Sequence, residues 1–211
     1  MKEIKENIIF RPFGPIITKV IIPSEILNKL NKYADVIIED QSKSKKLNHG
    51  NKLAGNVKQE FRLEQNFMES SGWGNFLGQN AANWIYRSVQ KKITKFEIIN
   101  SWIVSQFENE YNPIHTHKGH ISGVGYLKIP NDFGKTIQSD KKNKNGKLEL
   151  IHGSRMFLSE STFEIIPKVG DFYFFPNYLM HTVYPFINNN EERRSISFNA
   201  YIDEITYSGF E

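Results

Sequence analysis

The chain has no cysteine among its 211 residues. That excludes disulfides, thiolate nucleophiles and thiolate-bound zinc, and it fits a cytoplasmic protein. No apolar run approaches the roughly 18 to 20 residues that a membrane helix needs, so no membrane partner is expected. The opening MKEIKENIIFRPFG holds no long apolar core before a small-residue cleavage site, and no signal peptide is read there. Basic residues form no dense stripe. The net charge is +4, and the main cluster, KTIQSDKKNKNGK over Lys135–Lys147, reads as a solvated loop. This balance tilts only slightly toward an acidic partner. There is no internal repeat, no linker that would split the chain, and no convincing Ser-His-Asp set.

What is present suits one soluble domain over 1–211 with a sizeable core. Apolar residues make up 39%, charged residues 24% and aromatics 13%, with 16 Phe and 9 Tyr, a mixture that favours β structure. Residues 1–93 read as an N-terminal strand with helical support. Ile17–Ile22 is a short β-branched run. Ser24 is the expected N-cap of an amphipathic helix to about Ala34, carried by Ile26, Leu27, Leu30 and Tyr33. Gln41–Asn56 is polar and reads as a long loop, a candidate lid. A second helix is expected over Trp73–Lys92.

From residue 94 to 205 the pattern is strands. Phe96–Phe107, Ile121–Ile129, Lys147–Ile151, Thr162–Ile166, Asp171–Phe175, His181–Phe186 and Ser195–Ile202 all qualify, and most are separated by turn residues such as Asn145-Gly146 and Asn188–Asn190. Helices first and antiparallel strands after predict a mainly β sandwich or jelly roll with helices packed on one face.

Two stretches carry the chemistry. The first is NPIHTHKGHISGVGY, Asn112–Tyr126. His115 and His117 stand two apart, which in an extended chain puts two imidazoles on one side. The second is PKVGDFYFFPNYLMHTVYPFINNNEERRSISFNAY, Pro167–Tyr201, which holds His181 and then Arg193-x-Ser195. On a strand, Arg193, Ser195, Ser197 and Asn199 share one face, while Arg194, Ile196 and Phe198 share the other. A buried guanidinium needs a counter-charge, and a dicarboxylate would supply one through a bidentate contact. An ion pair of Arg193 with Glu108 or Glu110 would serve as well. His49, His120 and His152 read as ordinary polar residues, with His120 at the pocket mouth as an option, and Trp102 reads as core.

The ordered set HTHKGHISGVGYL, GDFYFFPNYLMHTVYPF and ERRSISFN resembles the Fe(II)- and 2-oxoglutarate-dependent oxygenases, and most closely a microbial and phage-type family of them with a His-x-His motif. The resemblance covers about Trp102–Tyr201. It implies a double-stranded β-helix core, Fe(II) as metal and 2-oxoglutarate as cosubstrate. It further implies His115 and His181 as iron ligands, and Arg193 with Ser195 on the far carboxylate of 2-oxoglutarate. Tyr126 becomes a candidate second contact. The implied reaction consumes O2 and hydroxylates a substrate, releasing succinate and CO2. The substrate class stays open among small molecules, protein side chains and nucleobases. The compartment would be the host cytoplasm if the gene is phage-borne.

His117 stands where most of the superfamily has a carboxylate. Either it ligates, giving a three-histidine face, or it stands back and leaves a two-histidine site, similar to the arrangement in the aspartyl/asparaginyl β-hydroxylases. Two rivals remain at this point. One is a cupin-type metalloprotein that does not use 2-oxoglutarate. The other is a non-catalytic β-sandwich binding module.

Overall fold

The computed structural model describes residues 14–136, 138, 140–187 and 190–209. The expected turn at Asn188–Asn190 falls partly outside these residues. Ten strands form two antiparallel sheets. β1 (Thr18–Ile21), β2 (Gln59–Arg62), β3 (Phe96–Gln106), β5 (Ile121–Lys128), β8 (Asp171–Pro176) and β10 (Arg193–Ile202) make the larger one, in the order β1-β8-β5-β10-β3-β2. β4 (Asn112–His115), β6 (Leu148–Ile151), β7 (Thr162–Ile165) and β9 (Met180–Val183) make the smaller one, in the order β4-β9-β6-β7. The chain passes back and forth between the sheets, which is the jelly-roll arrangement expected.

Helices α1 (Ser24–Glu39) and α4 (Trp73–Val89) cover the outer face of the larger sheet. Leu30 and Ala34 of α1 and Leu77, Ala81 and Trp84 of α4 share one core with Phe172, Phe174, Ile196 and Phe198. A second core lies between the sheets, built from Val124, Tyr126, Leu148, Leu150, Phe175 and Val183. The SGVGY stretch of β5 serves both. Ser122, Val124 and Tyr126 face between the sheets, while Gly123 and Gly125 face the helices. A Cβ on Gly125 would stand 2.4 Å from the Phe172 ring, and one on Gly123 would stand 2.6 Å from Phe198, so only glycine lets those rings lie on the sheet.

The N-terminal third departs from expectation in several places. Ser24 opens α1 as its first residue; the cap position is Pro23 and no side chain caps the helix. The stretch Gln41–Asn56 is not a structureless loop. Asp40 accepts from the amides of Ser42 and Lys43 and starts a short helix, α2 (Gln41–Leu47), and a 3-10 turn follows at Gly50–Lys52. α4 stops at Val89, where Gln90 turns left-handed at φ 58°. β2, β4, α3 (Gln65–Ser70) and α5 (Glu204–Ser208) carry too few residues for periodicity to reveal. Among the described residues, no helix is long and apolar enough to cross a membrane.

Candidate metal centre

β4 and β9 are neighbours in the smaller sheet, and their register sets His115 directly opposite His181. His117 is not on the strand, because β4 ends at His115. It is placed instead by the turn after β8. His117 N donates to Asn177 O at 3.1 Å, and Asn177 Nδ2 donates back to His117 O at 3.2 Å. The Trp102 ring, 5.6 Å away, closes one side of the His117 imidazole. The outcome is a cluster in which one nitrogen from each of His115, His117 and His181 lies within 4.8 Å of the others.

The two opposed histidines have their tautomers set. The Nδ1 of His115 donates to Pro113 O at 2.7 Å, and the Nδ1 of His181 donates to Leu179 O at 3.0 Å. Each therefore turns an Nε2 lone pair toward the cluster, which is how carbonyl partners orient metal-ligating histidines. His117 Nε2 stands 3.0 Å from His181 Nε2. Burial and the neighbouring imidazoles push His117 down to about 2 and His181 to about 4. Three neutral imidazoles converging on one point, with no carboxylate in the cluster among the described residues, are a donor set for a transition metal.

Arg193, Ser195 and Tyr126 sit deeper between the sheets. Tyr126 and Ser195 are cross-strand partners, and the Arg193 guanidinium lies 5.2 Å from the Tyr126 ring centre. Arg193 is 1% exposed and Tyr126 is 0% exposed. Arg193 Nε donates to Gly146 O, and Nη1 donates to Gln106 Oε1 and Ser195 Oγ, at 3.0, 3.0 and 3.3 Å. All of these acceptors are neutral. Glu110 instead accepts from the amides of Lys58 and Phe107. Arg193 Nη2 and Tyr126 OH are buried without a hydrogen-bond partner. Burial pushes Tyr126 up to about 12 and lowers Arg193 from its ordinary value. An orphaned guanidinium N–H of a cation without an acid partner, next to an orphaned phenol O–H, fits a carboxylate.

Arg194 points the other way, as the alternation on its strand requires, and pairs with Glu192 and Asp35. Asn199 accepts from Ser122 Oγ at 2.8 Å. His120 is separate from the cluster. It stacks on Tyr207 at 3.8 Å and lines an apolar groove of about 520 Å³ with Trp84 and Tyr178. Gln106 was not singled out in the sequence, although its place opposite Arg193 follows from strand pairing. Asn177 was not either, and nothing short of the fold would have found it.

Residues 100–199 match the family described as "Putative 2OG-Fe(II) oxygenase". That stretch, just under half of the chain, is similar to a 2OG-Fe(II) oxygenase domain. No curated protein matches it. Solved structures match the fold of the chain at low identity. A prolyl-4-hydroxylase from Pseudomonas putida has a TM-score of 0.56 at 13% identity, over 87% of this chain and 91% of that one. AviO1 from Streptomyces viridochromogenes Tue57 also has 0.56, at 14% identity over 90% of each chain. The viral collagen prolyl hydroxylase of Paramecium Bursaria Chlorella virus-1, in its 2OG complex, has 0.53 at 16% identity, over 87% and 94%. The family match over residues 100–199 and the jelly-roll fold thus agree, and the cofactor pair of that family is Fe(II) and 2-oxoglutarate.

Proposed function

We propose that His115, His117 and His181 hold Fe(II), and that Arg193, Ser195 and Tyr126 take the distal carboxylate of 2-oxoglutarate. The observation that carries the cosubstrate assignment is the buried Arg193 Nη2 with no partner, next to the equally unpartnered Tyr126 OH. Iron with 2-oxoglutarate supplies an oxidation in which O2, 2-oxoglutarate and a C–H bond give succinate, CO2 and a hydroxylated product. The protein's own part is placement. Pro113 O and Leu179 O hold two imidazoles with their lone pairs inward. Gln106, Gly146 and Ser195 fix the guanidinium plane and leave one edge of it for the carboxylate. With His117 as third donor the site carries one negative charge fewer than a two-histidine, one-carboxylate site.

Anaerobic titration with Fe(II) and 2-oxoglutarate tests the reading. An absorption band that needs both components is expected. Metal binding without any response to 2-oxoglutarate would point to the cupin-type alternative, and no binding of either would point to a non-catalytic module. We further infer a single domain and a cytoplasmic location. Support for the first is that α1 and α4 share one core with β8 and β10. Support for the second is the lack of cysteine.

A further inference from the structure

We propose that the substrate is a polypeptide, bound as an extended strand along the open edge of β3 beside residues 96–100. This deepens the oxygenase reading but rests on it only for what is done to the bound segment, not for its binding.

β2 covers only the second half of β3. Gln59–Arg62 pairs with Ser105 through Trp102, and the last backbone bond on that side runs from Leu63 N to Ser101 O at 2.9 Å. Between Phe96 and Asn100, β3 pairs with β10 on one side. Among the described residues, no strand or isolated bridge takes the other side. Such an edge presents alternating N–H and C=O groups, and proteins ordinarily blunt it with proline, charge or a covering segment. Here the segment is FEIIN, with one acidic residue and no proline.

In front of this edge lies a groove of about 650 Å³, floored by Ile98 and walled by Met68, Gly74 and Gly78 of the two helices. Gly78 lets the helix wall come close to the edge: a Cβ there would stand 3.3 Å from the Phe96 ring. The groove ends at Asn100, whose Oδ1 is buried without a partner. Two residues on is Trp102, whose ring packs 5.6 Å from that of His117. A strand added beside Phe96–Asn100 would meet Leu63 and Arg62 at its end, with Trp102 as the link between this edge and the histidine cluster.

The edge chooses its occupant. A peptide backbone repeats donor and acceptor in step with the ladder, which a small molecule or a nucleobase cannot do. Charge refines the choice. The side chains lining the groove include the carboxylates of Glu69 and Glu97 against the single cation Arg62, on a chain whose net charge is +4. Glu97 pairs with Lys95 at 2.7 Å, an exposed contact that a ligand's cation can replace. The occupant is thus an extended segment with a lysine or arginine.

The test is amide hydrogen exchange on the full chain with the probe acetyl-Lys-Thr-Val-Thr-Val-Thr-Lys-amide. At ten times its Kd the peptide should slow exchange at Phe96–Asn100 about tenfold. N-methylation of alternate peptide residues should abolish the effect in one register and spare it in the other. Absence of protection at millimolar peptide would overturn the proposal. So would protection insensitive to N-methylation, or protection that grows with protein concentration alone, which would mark the edge as a contact between copies. The Fe(II) and 2-oxoglutarate titration on the same sample separates the two readings. Loss of its absorption band with edge protection intact would defeat only the metal assignment, and the converse would defeat only this one.

Discussion

Arg193 and Gln106 face each other across β10 and β3, with Arg193 Nη1 donating to Gln106 Oε1 at 3.0 Å. The glutamine amide is itself held, because its Nε2 donates to Glu110 O. The guanidinium is therefore aimed by a neutral partner that leaves its charge uncompensated. Replacing it by Arg193→Lys should weaken 2-oxoglutarate by about tenfold to a hundredfold, the range of one charge-assisted contact. Fe(II) affinity should stay within about twofold, since none of the three histidines touches Arg193 in the structure. Parallel titrations of cosubstrate and metal give both numbers, and an equal fall in both would contradict the assignment.

His117 can be tested against its stand-back alternative. If it ligates, His117→Ala should weaken Fe(II) by about tenfold or more, equivalent to at least 1.4 kcal/mol. His117→Asp should restore binding by supplying the carboxylate of the commoner triad. An alanine variant with undiminished iron affinity and turnover would show that the third imidazole only fills space.

Asn177 is the clamp on that histidine through its side-chain amide as well as its backbone. Asn177→Ala keeps the backbone bond and removes the other, so the ring should lose its fixed direction. Fe(II) affinity is expected to drop by about tenfold with little change in Tm, in line with the effect of outer-shell partners. A large fall in Tm with unchanged iron binding would make Asn177 merely structural.

Glu60 is 1% exposed, and burial, followed by the charge of Glu110, pushes its carboxyl up to about 7. The folded state then holds a proton that the unfolded chain releases near the ordinary glutamate value. Stability is lost as pH rises from about 4.5 to about 7, because over that range the folded form binds more protons. Glu60→Gln should raise Tm relative to the parent at pH 8 and leave it unchanged near pH 4.5. The gain is at most about 3 kcal/mol. Thermal scans across that range decide it.

Gly125→Ala should cost roughly 2 kcal/mol, because the added methyl meets the Phe172 ring on one side and Asp171 O on the other. For a chain of this length that is about 5 °C in Tm. An unchanged Tm would mean that Phe172 swings aside freely.

Most of the β core was legible because its strands carry a two-residue alternation that only one arrangement buries. Arg193, Ser195 and Asn199 fall on one side and Arg194, Ile196 and Phe198 on the other, and parity alone separates the two arginines. The helical third was less legible. α2, with the sequence QSKSKKL, has no apolar stripe and forms because Asp40 caps it, so its polarity alone reads as a loop. His115 was easy to find, but its facing of His181 depends on a register between strands whose two histidines lie 66 residues apart, beyond the reach of any local pattern. His117 taught a different lesson. The two-residue spacing suggested a shared strand face, yet the strand stops first and a turn after β8 carries the ring into place.

The buried guanidinium also has a thermodynamic side. A cation surrounded by neutral acceptors is a standing penalty on the ligand-free fold, and a bound anion would relieve it. Binding at that point is then coupled to folding, and each tenfold excess of the dicarboxylate over its Kd adds about 1.4 kcal/mol to the native state. The domain would be hardest to unfold or digest when 2-oxoglutarate is plentiful, so its lifetime, as well as its rate, would follow the supply of its cosubstrate.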